Sequence, residues 1–309
     1  MKERIIIDCD TGQDDAIALM LAFSHEKIQI EGIVSVAGNV GLTHTLQNNL
    51  LLVNELNLTV PVYKGCSQPL LREPIIAGDI HGESGLLGYE FHKKLTTKSQ
   101  GNGIDFIIKT VQENPGEITL VATGPLTDIA LAFALEPSLP SQIKQLVLMG
   151  GSMGRGNVTS SAEFNIYADP EAASKVFLSN AKIIMMGLDV TQQVIVTDAI
   201  MERFKKEQHK NPKIARGLFL SGMKEYRKMC SLKFQSVSYM HDPNCLCYLI
   251  DPSLYQLRRE HIAVETKGEY TCGRTVTLPE STQSNTYMAT KVNVEAFWNM
   301  LSDSFQKLI

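Results

Sequence analysis

The sequence lacks the features that mark membrane and secreted proteins. No apolar run approaches the roughly 20 residues that a membrane-spanning helix needs. Residues 1–15 run directly into acidic residues and contain no signal-peptide apolar region with a small-residue cleavage site. The six cysteines include no C-x-x-C pair, a usage typical of reduced thiols rather than of a disulfide framework or a zinc site. We therefore expect a cytoplasmic protein that does not interact with membranes.

An excess of positive charge is also absent. The chain has 29 Lys and Arg residues against 33 Asp and Glu residues, a formal net charge of -4. Proteins that coat nucleic acid need a broad basic surface, so a nucleic-acid partner is not expected. The 309 residues, 44% of them hydrophobic and 20% charged, are ordinary for a globular protein and sufficient for a large α/β core.

Short apolar runs alternate with helical patterns over the first two thirds of the chain. Apolar and β-branched runs predict strands at residues 4–8, 28–37, 60–63, 117–123, 145–149 and 182–188. Apolar positions spaced by threes and fours predict helices at residues 13–24, 42–56, 104–112, 125–135 and 171–178. This alternation predicts an α/β fold of Rossmann-like type, with a mostly parallel central sheet and helices on both faces. Ligands of such sheets bind beyond the carboxyl ends of the strands.

The last third of the chain is more helical. Helices are predicted at residues 197–207, 212–228, 242–250 and 294–308, and residues 262–294 could form hairpins or added strands. The sequence contains no internal repeat, low-complexity linker or long charge run. We therefore expect one domain over residues 1–309.

The densest chemical signal is an aspartate-rich segment at the end of the first predicted strand. Asp8, Asp10, Asp14 and Asp15 place four carboxylates within eight residues, with no lysine or arginine among them. Such groups repel one another strongly unless a cation binds. Helix capping and a sharp turn at Gly12 account for one or two aspartates, not for four. The segment therefore predicts a divalent-cation site.

Three other loop types fit this segment poorly. An EF-hand starting at Asp8 would need glutamate at its twelfth position, where Leu19 stands. A haloacid-dehalogenase-type phosphatase usually has Thr or Val at the position of Gly12 and gives no role to Asp14 and Asp15. The chain also contains no G-x-x-x-x-G-K-[ST] phosphate-binding loop.

The D-x-D-x-G-x-D-D pattern of residues 8–15 resembles the N-terminal signature of the inosine-uridine-type nucleoside hydrolases. Matching motifs follow in order at residues 37–39 (AGN), 79–82 (DIHG), 122–126 (ATGPL), 148–151 (LMGG), 162–165 (AEFN) and 241–243 (HDP). Each motif alone is weak, but together they are specific and span nearly the whole chain. The resemblance implies an enzyme of nucleoside salvage that hydrolyses the N-glycosidic bond of ribonucleosides to free base and ribose.

The resemblance also implies a single Ca²⁺ at the bottom of a pocket. Its protein ligands would be Asp10, Asp15, Asp242 and the backbone carbonyl of Thr123. Asp242 could in addition cap the helix that follows it. Calcium acidifies water less than zinc does, so a carboxylate base is needed, and the resemblance assigns to Asp10 the activation of a metal-bound water. Direct attack by this water implies inversion at the anomeric carbon.

The resemblance places Asp14 and Asn39 near the 2′-hydroxyl of the ribose and Asn165 near the 3′-hydroxyl. It places Asn157 and Glu163 near the 5′-hydroxyl. Phe164, between two of these residues, and Met149, on the pocket floor, complete the expected substrate-binding set. Met149 could equally be plain strand core, and Asn39 and Asn157 could be turn residues.

His241 is the best candidate for the acid that assists the departing base, because imidazole titrates near neutrality. His81 matches a pocket histidine near the base.

The helical region before His241 governs base choice in the family. Glu225, Met229 and Lys233 stand where a tyrosine pair or a Gln/Tyr pair is expected, and possible substitutes are Tyr226, Phe234 and Tyr239. The preference for purine or pyrimidine therefore stays open.

Two other functions remain as alternatives. A metal-dependent phosphohydrolase would need basic residues around a phosphate, and Arg155 is the sole Lys or Arg in the matched loops. A binding-only module would not need a complete catalytic set, which this chain has. The resemblance further implies a homo-oligomer, either a dimer or a tetramer.

Overall fold

A single nine-stranded sheet organises the part of the chain that the computed structural model describes, residues 2–234, 237–279 and 285–308. The strands are β1 (Glu3–Cys9), β2 (Ile28–Ser35), β3 (Val62–Lys64), β4 (Ile118–Ala122), β5 (Gln145–Met149), β6 (Ile183–Met186), β7 (Tyr255–Val264), β8 (Thr275–Leu278) and β9 (Thr286–Val292). The helices are α1 (Gln13–Ser24), α2 (Leu42–Glu55), α3 (Gly78–His81), α4 (Gly103–Glu113), α5 (Thr127–Leu135), α6 (Leu139–Gln142), α7 (Phe164–Ala168), α8 (Pro170–Phe177), α9 (Leu188–Thr191), α10 (Asp198–Lys210), α11 (Ile214–Phe234), α12 (Pro243–Ile250) and α13 (Val294–Phe305).

The strand order is β3-β2-β1-β4-β5-β6-β9-β7-β8. All neighbours are parallel as far as β9, and β7 pairs antiparallel with both β9 and β8. From β1, the third strand of this order, the chain proceeds outward through β2 and β3, then returns to β4 on the other side of β1 and proceeds to β6. The carboxyl ends of β1 and β4 therefore flank a topological switch point, where open sheets of this class form their ligand sites.

Helices cover both faces of the sheet. Along β1, Ile5 and Ile7 are buried in one apolar cluster and Ile6 in a second, because successive side chains of a strand point to opposite faces. This arrangement confirms the predicted α/β fold with a mostly parallel sheet between helical layers. Among the described residues, every helix is too short or too polar to cross a bilayer.

Most predicted elements are present, and the differences have local causes. The bounds of α1 and β5 are those predicted, and residues 262–294 contribute added strands, although the first, β7, begins earlier, at Tyr255. The sequence pattern missed α3, α6, α7 and α9, since helices of four or five residues are too short to establish an apolar period. The prediction of one domain over residues 1–309 stays a prediction.

The only tryptophan of the chain, Trp298, belongs to an aromatic cluster that holds α11 in place. The Trp298 ring on α13 lies 6.2 Å from the ring of Phe204 on α10 and 6.4 Å from that of Phe219 on α11. All three side chains are almost completely buried. Edge-to-face aromatic contacts of this kind fix relative helix positions, so the aromatic cluster holds α11 against the body of the protein.

A pair of buried carboxyl groups lies beside the switch point. Asp8 at the end of β1 and Asp128 in the first turn of α5 are neighbours, each affecting the pKa of the other, and no hydrogen-bond donor among the described residues reaches the Asp8 oxygens. Asp128 also accepts a hydrogen bond from the backbone N–H of Cys66, at 2.8 Å. Burial raises the pKa of Asp128 to about 6 and that of Asp8 well above its usual range. One proton shared by the two groups satisfies both.

Replacing Asp128 by asparagine is expected to stabilise the fold at alkaline pH. An acid whose pKa is raised by folding loses stability as the pH rises from its unfolded pKa to its folded pKa. For Asp128 that interval runs from the ordinary 3.8 to about 6. An amide accepts the Cys66 N–H and donates to Asp8, so the free energy of unfolding at pH 8 should rise by about 1–3 kcal/mol, with little change at pH 4. Guanidinium unfolding at both pH values, with exposed Asp303→Asn as control, measures this; an equal effect at both values would contradict it.

Candidate active site

A cavity of about 500 Å³ opens at the carboxyl ends of the parallel strands. Asp8 is in register with Val34 of β2 and Ala122 of β4, so the segments that follow these three strands emerge side by side. The cavity is lined by every residue predicted for the site except Asp10 and Asp15: Asp14, Asn39, His81, Thr123, Met149, Asn157, Glu163, Phe164, Asn165, His241 and Asp242. The matched motifs therefore converge on one place in the fold.

Three carboxylates meet at the floor of the cavity. Oxygen atoms of Asp14, Asp15 and Asp242 all lie within 4.8 Å of one another, and all three residues are buried. Burial and the neighbouring negative charges raise the pKa of Asp14 to about 7 and that of Asp242 well above its usual range. Asp242 stands at the start of α12 but makes no side-chain capping hydrogen bond, so the expected capping role is not observed and its carboxylate is available to the cluster.

Asp10 lies next to this cluster, with one carboxylate oxygen held and the other free. Its Oδ2 accepts a hydrogen bond from the backbone N–H of Asn39 at 2.7 Å, while Oδ1 is buried without a hydrogen-bond partner among the described residues. Burial and the charges of Asp15 and Asp14 raise its pKa well above the usual range. Gly38 permits this arrangement, because a Cβ there would come within 2.1 Å of Asp10 Oδ2.

Asp15 and Thr123 are tied together at the switch point. Asp15 Oδ1 accepts from the Thr123 hydroxyl at 2.7 Å and Oδ2 accepts from the backbone N–H of Gly12 at 2.8 Å. The backbone carbonyl of Thr123 accepts one hydrogen bond, from Asn165 Nδ2 at 2.7 Å. Since a carbonyl oxygen has two lone pairs, one remains for a ligand.

This group of atoms fits a hard divalent cation. It offers buried carboxylate oxygens from distant segments, a free Asp10 oxygen and a backbone carbonyl, which are ligand types that Ca²⁺ prefers. Among the described residues, the lining of the cavity contains no lysine or arginine that would neutralise the carboxylates. Buried carboxylates without a compensating charge are costly, and a cation bound by this group would offset that cost.

The residues expected at the ribose also shape the local backbone. Asn165 donates from Nδ2 to the carbonyls of Thr123 and, at 3.0 Å, Met149, so its side-chain oxygen is the atom left for a ligand. Glu163 caps α7, accepting backbone N–H bonds from Asn165 at 3.0 Å and Gly151 at 2.9 Å. Burial raises the Glu163 pKa to about 7.

Asn157 likewise accepts the backbone N–H of Phe164, at 2.9 Å. This bond ties the glycine-containing loop before α7 to the start of that helix. The two residues expected near the 5′-hydroxyl, Asn157 and Glu163, are therefore held in place by backbone groups before any ligand binds.

Two histidines line the cavity with their Nδ1 atoms held by neighbouring side chains. His81 Nδ1 lies 2.5 Å from Gln13 Oε1, and His241 Nδ1 lies 2.8 Å from the hydroxyl of Thr191. Burial lowers the pKa of His241 to about 4, and burial together with the neighbouring His241 lowers that of His81 to about 3. The expectation that His241 titrates near neutrality therefore does not describe the buried ring in this structure.

The region expected to contact the base differs from the expected register by one residue. Tyr226 and Cys230, one helical turn apart on α11, line the cavity, as does Tyr239, whereas Glu225 and Met229 do not. Of the possible substitutes, Tyr226 and Tyr239 are thus placed at the cavity. The side chains of Lys233 and Phe234 lie outside the described residues.

Several lining residues carried no signal of their own in the sequence: Ile76, Ala77, Asp79, Ile80, Gly156, Val158, Gln192, Cys230 and Val237. Asp79 and Ile80 belong to the matched 79–82 motif, and Gly156 and Val158 flank Asn157, so proximity to predicted residues was the available signal. Gln192 follows α9, one of the short helices that the apolar pattern missed.

Comparison with known proteins agrees with the geometry. The family model of the inosine-uridine preferring nucleoside hydrolases matches residues 5–299. The chain belongs to this family. It is an enzyme that hydrolyses N-glycosyl bonds of nucleosides, as the motifs of the sequence predicted.

Nucleoside hydrolases that are similar to this chain include enzymes named for different bases. A pyrimidine-specific ribonucleoside hydrolase, RihB, from Escherichia coli (strain SE11) is 38% identical over 98% of this chain and 96% of its own. The solved structure of a purine-preferring ribonucleoside hydrolase from Gardnerella vaginalis superposes with a TM-score of 0.91, at 28% identity and 98% coverage of both chains. The plant nucleoside hydrolase PpNRh1 gives a TM-score of 0.89, at 28% identity and 99% coverage of both chains.

Proposed function

We propose that this nucleoside hydrolase uses Ca²⁺ and the base Asp10 to split ribonucleosides into free base and ribose. The proposal rests on the convergence of Asp14, Asp15 and Asp242 next to Asp10, whose Oδ1 has no hydrogen-bond partner in the part of the chain that the structure describes. With the carbonyl of Thr123, Asp10, Asp15 and Asp242 would hold the ion, and Asp14 beside them would face the ribose. When bound, Ca²⁺ supplies positive charge that offsets the carboxylates and makes water more acidic.

Asp10 is the proposed base because its two oxygens have separate tasks. Oδ2 is fixed by the Asn39 N–H, which sets the orientation of the carboxylate, and Oδ1 has no competing donor among the described residues. A base must reach the proton that it removes, and a raised pKa improves its match to neutral pH. Asp10 therefore takes a proton from the attacking water, which adds to the anomeric carbon and inverts it.

Positive charge develops on the sugar as the glycosidic bond breaks. The aspartates at the cavity floor and Glu163 face this charge, and the part of the lining that the structure describes contains no lysine or arginine that would oppose it. Asp14, Asn39 and the side-chain oxygen of Asn165 are the proposed partners of the 2′- and 3′-hydroxyls. A deoxyribose would leave such buried groups unpaired, which disfavours it strongly.

As the glycosidic bond breaks, the departing base gains electron density. His241 is the proposed donor to it, because the ring lines the cavity and its Nδ1 is held by Thr191. When the Thr191 hydroxyl donates to Nδ1, the ring hydrogen lies on Nε2, and the neutral ring can donate a hydrogen bond from there to the departing base.

A panel of ribonucleosides is expected to release reducing sugar, and chelation is expected to abolish the release. The panel contains uridine, cytidine, inosine and adenosine, together with 2′-deoxyuridine, because the similar enzymes are named for different bases. EDTA treatment followed by dialysis should remove activity, Ca²⁺ should restore it, and 2′-deoxyuridine should react about 10⁴-fold more slowly than uridine. Absence of ribose release from every member, in protein shown to contain Ca²⁺, would refute the proposal.

We also propose that the enzyme acts in nucleoside salvage in the cytoplasm, as a homo-oligomer. The free base that it releases is a salvage substrate, and six unpaired thiols accord with a reducing compartment. Light scattering coupled to size-exclusion chromatography tests the oligomer; a mass of 34.2 kDa, that of one chain, would count against it.

A further inference from the structure

Gln13 is a fully buried polar residue inside the aspartate-rich segment, and the proposed reaction gives it no role. Its side chain makes two contacts with the same residue. Oε1 lies 2.5 Å from His81 Nδ1, and Nε2 donates to the backbone carbonyl of His81 at 3.4 Å. Gly12 allows the ring to approach, since a Cβ at that position would lie 2.4 Å from His81 Nδ1.

The two contacts determine which way the Gln13 amide faces. A backbone carbonyl can only accept a hydrogen bond, so the NH₂ group of Gln13 must face the carbonyl of His81. Oε1 then faces the ring, and because an amide oxygen can only accept, His81 Nδ1 must carry the hydrogen. A neutral imidazole has one ring hydrogen, so Nε2 of His81 is an acceptor.

The other cavity histidine lacks a partner of this kind. His241 Nδ1 contacts the hydroxyl of Thr191, which can donate or accept and is compatible with either tautomer. The amide of Gln13 permits one tautomer of His81. The two histidines therefore differ in how strictly their hydrogens are placed.

Other hydrogen bonds also connect the start of α1 with residues 81–89. Tyr89 donates its hydroxyl to the backbone carbonyl of Gln13 at 3.0 Å, and Asn48 donates to the carbonyls of Thr11, at 2.9 Å, and Ser84, at 2.8 Å. These bonds fasten residues 81–89 to the start of α1 independently of the Gln13 side chain. The position of the 81–89 backbone therefore does not depend on the Gln13 amide. The remaining effect of this amide is on the tautomer of the His81 ring.

We propose that Gln13 is a positioning residue that holds His81 in the Nδ1–H tautomer, so that His81 offers Nε2 as a hydrogen-bond acceptor to the substrate. The substrate group that it fits is an N–H of the nucleobase. This second clause rests on the proposed function, because it takes the cavity ligand to be a nucleoside. The tautomer itself does not, and it can be measured without turnover.

Nitrogen NMR of the native enzyme tests the tautomer directly. Protein labelled with ¹⁵N-histidine and loaded with Ca²⁺ gives long-range ¹H–¹⁵N correlations whose pattern distinguishes Nδ1–H from Nε2–H. Loss of one set of signals in His81→Asn assigns the residue. A neutral Nδ1–H pattern for His81 is expected, and an Nε2–H pattern would overturn the proposal whatever the activity of the enzyme.

Two substitutions separate the acceptor from the shape of the side chain. Gln13→Met has similar length but no acceptor, so we expect mixed tautomers at His81 and a kcat/KM lower by roughly 3- to 30-fold, the effect of about one hydrogen bond. Gln13→Glu keeps an acceptor oxygen and should retain the Nδ1–H pattern. The matched control is Gln29→Met, an exposed glutamine near the start of β2, away from the carboxyl edge.

The outcomes distinguish the proposal from the proposed function. If Gln13→Met leaves His81 in the Nδ1–H state, the role of Gln13 is refuted even where the enzyme is active. If the native enzyme shows the Nδ1–H pattern but splits no nucleoside, the proposed function fails and the tautomer stands. If Gln13→Met does not fold, the native spectrum and that of Gln13→Glu still decide, since loss of the Nδ1–H pattern in either contradicts the proposal.

Discussion

Replacing Asp10 by asparagine is expected to lower kcat for ribonucleosides by about 10²- to 10⁴-fold, the usual contribution of a general base. The substitution keeps the size of the side chain, and the amide oxygen can still accept the N–H of Asn39. The change falls on Oδ1, which has no hydrogen-bond partner among the described residues and which an NH₂ group would replace. Single-turnover measurements on Ca²⁺-loaded enzyme at saturating nucleoside isolate the chemical step.

Asp8→Asn is the matched control for this loss. Asp8 lies two positions before Asp10, is equally buried, and pairs with Asp128 rather than with the cavity floor. Its variant should keep a kcat close to that of the native enzyme. Calorimetric titration of Ca²⁺ into each variant separates loss of the ion from loss of the base. A Ca²⁺-loaded Asp10→Asn enzyme with more than a tenth of native kcat would refute the role of Asp10.

The fold could be predicted because its signals are local. The β-branched run Ile5, Ile6 and Ile7 specifies a strand buried on both faces, and the alternation of such runs with amphipathic segments specifies a parallel sheet. Short helices such as α7 were missed because they are too short to establish an apolar period. The Glu163 side chain caps the start of α7 at the end of a loop, and an apolar period cannot reveal such a cap.

The site was predictable as a set of residues but not in its internal contacts. Motifs placed Asp14, Asp15 and Asp242 near one cavity, and the structure brings their oxygens together. The set within 4.8 Å contains Asp14, which the resemblance places at the ribose, and not Asp10, which it places on the ion. Side-chain orientation in a four-carboxylate segment depends on individual hydrogen bonds, and the spacing of residues does not determine these.

Contacts between distant segments could not be predicted from the sequence, for a related reason. Gln13 and His81 are 68 positions apart, and neither carries a pattern that indicates the other. The helical register of α11 is a similar case: a difference of one residue rotates a helix position by about 100° and moves Tyr226 instead of Glu225 to the cavity. Packing of α11 through Phe219 onto Trp298 fixes that register, and this packing is a tertiary property.

The second large effect is expected at His241 and should depend on the leaving group. Replacing His241 by asparagine removes the proposed donor to the departing base, so kcat for uridine or inosine should fall by about 10²- to 10³-fold. p-Nitrophenyl riboside releases a phenolate that is stable without such help, so its rate should fall less than about tenfold. Steady-state kinetics with both substrate types measures the difference.

The contrast between the substrates is what identifies the role. A variant with a disturbed fold or a lost Ca²⁺ would lose both activities equally, whereas loss of a donor affects poor leaving groups alone. Thr191→Val removes the hydroxyl that holds His241 Nδ1 and should show the same contrast to a smaller degree. His209→Asn, an exposed histidine on α10, serves as the control and should change neither rate. Equal losses for the nucleoside and the nitrophenyl substrate in His241→Asn would show that His241 does not act on the leaving base.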